Sequence, residues 1–150
     1  MKYYWGIDPG KTGAVAIIGE DGFIKFLSDY QEPPVLLPIL KGTQKAFPCT
    51  MCALEKAQAM PKQGVVGVFN YGVNFGSWMA MLAALSIPFM QIPPAKWKKT
   101  LVGIGDKKDK DLVRLSAIQR FPDATDLLKR KKDHNRAEAI WLANWMRENH

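Results

Sequence analysis

Three acidic side chains stand where acids are costly. Asp8 closes a short apolar and aromatic run (Tyr3, Tyr4, Trp5, Ile7) and opens the turn Pro9-Gly10. Glu55 closes a second run, residues 50–55 (Thr-Met-Cys-Ala-Leu-Glu). Glu138 interrupts a third, in which eight of the ten positions from Ala137 to Met146 are apolar. A helix apolar nearly all round is a buried helix, and an ionised carboxylate buried without compensation costs several kcal/mol. A bound cation would compensate it. Each acid also has an ordinary explanation. Asp-Pro-Gly is common turn chemistry, and Asn135 followed three residues later by Glu138 fits a helix capping box. Brought together, however, such acids repel one another strongly unless metal binds. Hard carboxylate oxygens suit Mg²⁺, with Mn²⁺ able to substitute. Two such ions roughly 4 Å apart can activate a water and stabilise the leaving oxygen in phosphodiester hydrolysis.

The elements that would assemble this set can be read from pattern. Runs at 3–8 and 13–19, joined through glycine-rich turn residues, predict a hairpin with Asp8 at the mouth of its first strand. A third strand over 23–27 follows Glu20-Asp21-Gly22 and completes an antiparallel meander. Residues 31–48 contain Pro33, Pro34, Pro38 and Pro48 and read as a connection with a helical turn over 35–40. The fourth strand is 50–55. Residues 56–76 mix glycine with polar and aromatic groups and read as a loop. Trp78, Met79, Met81, Leu82 and Leu85 recur at helical spacing, which predicts a helix over 77–85 serving the core or a subunit interface. A fifth strand, 87–92, stops at Pro93-Pro94. Strand, helix and strand imply a parallel crossover pair. If strands one and four are also parallel neighbours, Asp8 and Glu55 emerge at one edge of the sheet. Leu112, Leu115, Ile118 and Phe121 give the next helix its apolar stripe, and the last helix carries Glu138.

Length and composition fit one domain, 1–150, with a sizeable core. The formal charge is +7 and the pI about 9.5, which favours an anionic partner, nucleic acid first. The densest basic cluster includes Lys96, Lys98, Lys99, Lys107, Lys108 and Lys110, and Lys131 and Lys132 close a second run, although such runs also form plain solvated helix faces. Phe69, Asn70 and Tyr71, with Lys62 and Gln63 before them and Lys11 beside Asp8, could stack on bases and contact phosphates. Cys49 and Cys52 form a lone C-x-x-C with no second pair, so they read as reduced strand residues of a cytosolic protein. The N-terminus shows no basic flank and apolar core of a secretory signal, and no run reaches membrane-spanning length. A cytoplasmic location and no membrane partner are expected.

The motifs Gly6-Ile7-Asp8-Pro9-Gly10-x-x-Gly13, Leu54-Glu55, Met60-Pro61-Lys62-Gln63-Gly64, Pro93-Pro94-x-x-Trp97-Lys98 and Arg136-Ala137-Glu138-Ala139 occur in this order across nearly the whole chain. In this set the sequence resembles the RuvC-type Holliday junction resolvases, most of all their phage-encoded branch. The resemblance implies an α/β fold of ribonuclease-H-like type, a five-stranded mixed sheet flanked by helices. It implies a homodimer in a bacterial host cell that makes paired nicks in branched, four-way DNA, with two Mg²⁺ ions per site and no small-molecule cofactor. It carries Asp8, Glu55 and Glu138 over as catalytic metal ligands, and places Lys62 and Phe69 in the segment that reaches the junction centre. Where the bacterial family has an acid three residues before its last carboxylate, this chain has Asn135, so the fourth ligand falls to Asp133 by charge, with His134 close behind. A non-catalytic branched-DNA-binding module and a nuclease cutting RNA in RNA–DNA hybrids are the competing readings. A two-domain sugar-kinase or actin-like phosphotransferase is excluded by length.

Overall fold

A computed structural model describes the chain except for Lys11, residues 57–63, Val102 and Ile104. The expected Lys11, Lys62 and Gln63 contacts therefore lie outside the described residues. The strands are β1 (Tyr3–Asp8), β2 (Ala14–Gly19), β3 (Ile24–Asp29), β4 (Cys49–Glu55) and β5 (Phe89–Ile92). They form one mixed sheet in the order β3-β2-β1-β4-β5. β1, β2 and β3 pair antiparallel, and β4 lies parallel to both β1 and β5. This is the meander and crossover expected from the bounded apolar runs and their turns.

Strand period two sorts the core into two layers. Trp5, Ile7, Val15, Ile17, Cys52 and Leu54 face α1 (Pro33–Ala46) and α2 (Val65–Ala84). Tyr4, Ala14, Ala16, Ile18 and Ala53 face the other way, toward α4 (Lys110–Arg120) and α5 (His134–Asn149). Short α3 (Pro94–Lys98) and two 3₁₀ turns, Pro122–Leu128 and Lys131–Asp133, complete the second layer. Cys49 and Cys52 are free thiols on β4; burial pushes Cys49 up to about 12 and Cys52 well above its ordinary value, which keeps both protonated.

Three expectations need correction, and one open alternative is decided. The proline-rich connection is largely the 14-residue α1. Pro33 and Pro34 sit in its first turn, where no intrahelical donor is needed, and Leu36, Leu40 and Thr43 bury one face despite Pro38. The loop expected over 56–76 is mostly helix, since α2 begins at Val65. Its glycines Gly67, Gly72 and Gly76 have open space around them, so they only weaken the helix. Of the two roles open to the 77–85 half of α2, core or subunit interface, it takes the core: Trp78, Met81 and Leu82 are buried against the sheet. On α4, Leu112 and Leu115 are partly exposed, and the helix buries Val113, Arg114 and Ala117. Small side chains let α4 approach α5, and Arg114 donates to the carbonyl oxygen of Leu128 at 2.7 Å.

β1 meets α5 backbone to backbone. A Cβ at Gly6 would lie 2.2 Å from Ala143 N and 2.3 Å from Ala139 O. Neither atom is the movable end of a side chain. Gly6→Ala should therefore push α5 off the sheet, at about 3 kcal/mol as core overpacking costs, or about 10 °C of Tm for a chain of this size. Calorimetric melting checks this, and an unchanged Tm would mean that the helix can move freely.

Candidate active site

Asp8 and Glu55 reach one place because of strand parity and register. β1 and β4 pair in parallel with Ile7 opposite Leu54, so the two acids end their strands at the same level. Asp8 shares its face with Tyr4 and Gly6, and Glu55 shares its face with Ala53, so both point toward α5. The turn behind Asp8 is equally tight, since a Cβ at Gly13 would lie 2.0 Å from the Asp8 carbonyl oxygen. Glu138 arrives from α5. The start of that helix is fixed by Arg136, which grips Asp29 at the end of β3 with two 2.8 Å hydrogen bonds and donates to Leu127 O at 3.0 Å.

Asp8, Glu55 and Glu138 line one cavity of about 370 Å³ together with Thr12, Tyr71, Lys98, Lys110 and Asn135. Asp8 is only 7% exposed. Burial, then the charges of Glu138 and Glu55, hold its carboxyl well above the ordinary range; Asp8 and Glu138 share a hydrogen bond, and Lys110 opposes the shift. Burial and the Glu138 charge push Glu55 up to about 7, against a hydrogen bond from Trp97 and the charges of Lys98 and Lys110. Burial, with the charges of Glu55, Asp8 and Glu138, also raises the Tyr71 phenol.

The fourth acid is elsewhere. Asp133 is buried, and Arg130 occupies both of its oxygens at 2.8 and 2.9 Å, with Arg136 at 3.8 Å. Burial works to raise its pKa, but the Arg130 bonds and the two arginine charges outweigh it and hold the carboxylate low. Asp133 and His134 line a neighbouring cavity with Lys132 and Asp29. Burial and then Lys110 depress His134, whose Nδ1 is buried without a partner. Asn135, the residue three before Glu138, is the one that lines the carboxylate cavity. The capping box expected from Asn135 and Glu138 does not form: α5 starts at His134, after Asp133, with no side-chain cap. Glu138 is thereby left to face Asp8.

Lys98 and Tyr71, expected as DNA contacts, both line the carboxylate cavity, and Tyr71 comes from α2 rather than a loop. Sequence reasoning placed Lys110 only in a general basic cluster and gave Trp97 no role. The signal for Lys110 was its place at the start of a helix, just after Asp109, whose carboxylate caps the helix. Phe69 and Asn70 are exposed on the outer half of α2. Lys96, Lys99, Lys108, Lys131 and Lys132 are exposed and Lys107 is partly buried, so these residues remain surface cations outside the carboxylate cavity.

Among the described residues no group of three or more His, Cys, Asp or Glu side chains is arranged to hold a metal ion as it stands. The contacts show why. Asp8 is packed against Glu138, and Glu55 accepts a 2.6 Å hydrogen bond from the Trp97 indole. The donor set is still all oxygen: three acids held against their mutual repulsion and the Asn135 amide. That chemistry fits a hard divalent cation.

The raised acids make stability fall with pH. Glu55 titrates near 4.5 in the unfolded chain and near 7 in the folded one. Between these values the native state keeps a proton that the unfolded state has released, so the contribution of Glu55 is full below pH 4.5 and is lost as pH rises through 7. In chelator, the Tm of Glu55→Gln relative to the unmodified protein should be unchanged near pH 4.5 and rise by several degrees at pH 8. The difference isolates Glu55 from His134, whose depressed pKa acts in the opposite sense. A pH-independent difference would contradict the repulsion.

No protein-family model matches the chain. A curated relative, the chloroplastic Holliday junction resolvase MOC1 of Chlamydomonas reinhardtii, is 29% identical over 92 residues. That match covers 61% of this chain and about a tenth of the length of the relative. Among solved structures, Thermus thermophilus RuvC in complex with a Holliday junction substrate superposes with a TM-score of 0.70 at 15% identity, covering 97% of this chain and 92% of that one. The fowlpox virus Holliday junction resolvase superposes with a TM-score of 0.60 at 14% identity, covering 98% of each chain. The five-stranded mixed sheet flanked by helices is thus the ribonuclease-H-like fold of the RuvC-type Holliday junction resolvases, as the motifs implied.

Proposed function

We propose that this chain is a divalent-metal-dependent endonuclease that resolves four-way DNA junctions by paired nicks. The observation that carries the reading is the convergence of Asp8, Glu55 and Glu138 on one cavity edged by Lys98 and Lys110, in a fold whose solved relatives are Holliday junction resolvases. Asp8, Glu55 and Glu138 would hold two Mg²⁺ or Mn²⁺ ions, with Asn135 as a neutral donor. Bound there, the ions supply Lewis acidity, which lowers the pKa of a water and compensates charge on a leaving 3′ oxygen. Lys98 and Lys110 neutralise the phosphate that must approach three carboxylates. Tyr71 closes one side of the cavity and narrows its access to bulk water. The surface lysines and the net charge of +7 grip DNA backbone with little sequence readout.

Paired nicks need two such sites. Val65, Val66, Phe69 and Val73 are at least half exposed along the outer half of α2. Among the described residues nothing covers this apolar stripe, which supports a homodimer built on that half of the helix rather than on residues 77–85.

The test is nicking of a synthetic four-way junction against linear duplex and RNA–DNA hybrid in Mg²⁺, for the unmodified protein and Asp8→Asn. Symmetric nicks in the junction alone are expected, with a loss of about 10²–10³-fold in Asp8→Asn, the scale of removing a group that stabilises the transition state. Junction binding should survive. Junction binding without nicking in Mg²⁺ or Mn²⁺ would point to a binding module, and cleavage mainly of the hybrid would point to a ribonuclease. Asp8→Asn should also melt higher than the unmodified protein at pH 8 in chelator, because it removes one of three crowded charges. A lower Tm would contradict that crowding.

A further inference from the structure

Trp97 is the residue the proposed chemistry leaves unused, and its placement is unusual. It is a large side chain with no exposed surface. Its one polar atom, Nε1, donates a 2.6 Å hydrogen bond to Glu55 Oε2. The backbone brings it there by a short route. Glu55 pairs with Ile92 at the end of β5, and Lys56 N donates to Ile92 O at 2.8 Å. Pro93 and Pro94 then stop the strand and start α3, so that Trp97 folds back over the acid within five residues. The ring is packed in the same core layer as Ile92, Leu101 and Ala53. Packing therefore fixes the donor before any ligand arrives.

We infer that Trp97 is a positioning residue for Glu55: its indole holds one carboxylate oxygen so that the other is presented to a divalent cation. The inference rests on the proposed metal-dependent reading of the cavity. A glutamate has three rotatable bonds, and this one is repelled by Glu138. Without a fixed donor it would lose orientation each time the repulsion changed. Indole suits the task because it donates only, so it can neither compete for the cation nor carry charge into the site. Groups that orient a ligand from behind typically contribute 10–100-fold to metal affinity.

Trp97→Phe keeps the buried ring and removes the donor. In calorimetric titration with Mn²⁺ alone, it should bind about 10-fold more weakly than the unmodified protein. Junction affinity in chelator should be equal for the two. Its nicking should recover when Mn²⁺ is raised about 10-fold, which a general loss of structure would not allow. Equal Mn²⁺ affinity in the two proteins, or nicking that excess Mn²⁺ fails to restore, would overturn the positioning role and leave the nuclease reading intact. An unmodified protein that binds no Mn²⁺ would overturn both. Should Trp97→Phe not fold, the Trp97 indole N–H resonance of the unmodified protein carries the test. It should shift when Mg²⁺ is added and stay fixed in Glu55→Gln; a resonance indifferent to Mg²⁺ in the unmodified protein contradicts the inference.

Discussion

The contact between β1 and α5 at Gly6 governs the rest of the molecule. Backbone touches backbone there, with Ala139 and Ala143 as the facing residues. Only the absence of a Cβ on β1 permits it. The approach has a functional consequence two residues along the strand. Asp8 shares the Gly6 face, and Glu138 immediately precedes Ala139 on the helix, so closing the helix onto the strand brings the two acids within hydrogen-bonding reach. Register then adds Glu55 from β4 without any further device. The Arg136–Asp29 pair and the Asp133–Arg130 ion pair in the turn just before it fix where α5 begins, and hence which residue of its first turns meets the sheet.

This geometry works against electrostatics. Three carboxylates are gathered at the rim of a core, and two of them are held above their ordinary pKa by burial and by one another. Lys98 and Lys110 relieve the repulsion only in part. A fold assembled for stability alone would put amides at these positions. Proteins accept such strain where a ligand or reaction needs it, and on the proposed reading a doubly charged cation is the ligand that would turn this arrangement from a cost into a binding energy. The same reasoning separates the two clusters of acids in the molecule. Asp29 and Asp133 are satisfied by arginines, which suits them to hold structure together.

Much of this was legible in the sequence because it depends on local periodicity. Short apolar runs bounded by turn residues placed all five strands, with Asp8 and Glu55 at the ends of two of them. What could not be read was decided by tertiary competition. Phe69, Asn70 and Tyr71 look like loop residues because Gly67, Gly72 and Gly76 lie around them, yet helix hydrogen bonds are local and exposed glycines tax the helix without breaking it. Leu112 and Leu115 make an attractive stripe, but α5 accepts the smaller Val113 and Ala117. Asp133 was the better ligand by charge alone. Arg130, three residues before it, captures it in a local cap that no count of carboxylates reveals. Trp97 stood in the motif Pro93-Pro94-x-x-Trp97-Lys98 without a role, since the partner of an indole N–H is known only once it is seen to end on Glu55.

The most direct test of the account is a crystal structure of the protein soaked in Mn²⁺, read by anomalous scattering. The account places the manganese between Asp8, Glu55 and Glu138, with the Asp8–Glu138 hydrogen bond broken and Asp133 still held by Arg130. Manganese bound through Asp133 and His134, or none at the three acids at pH 8, would contradict it.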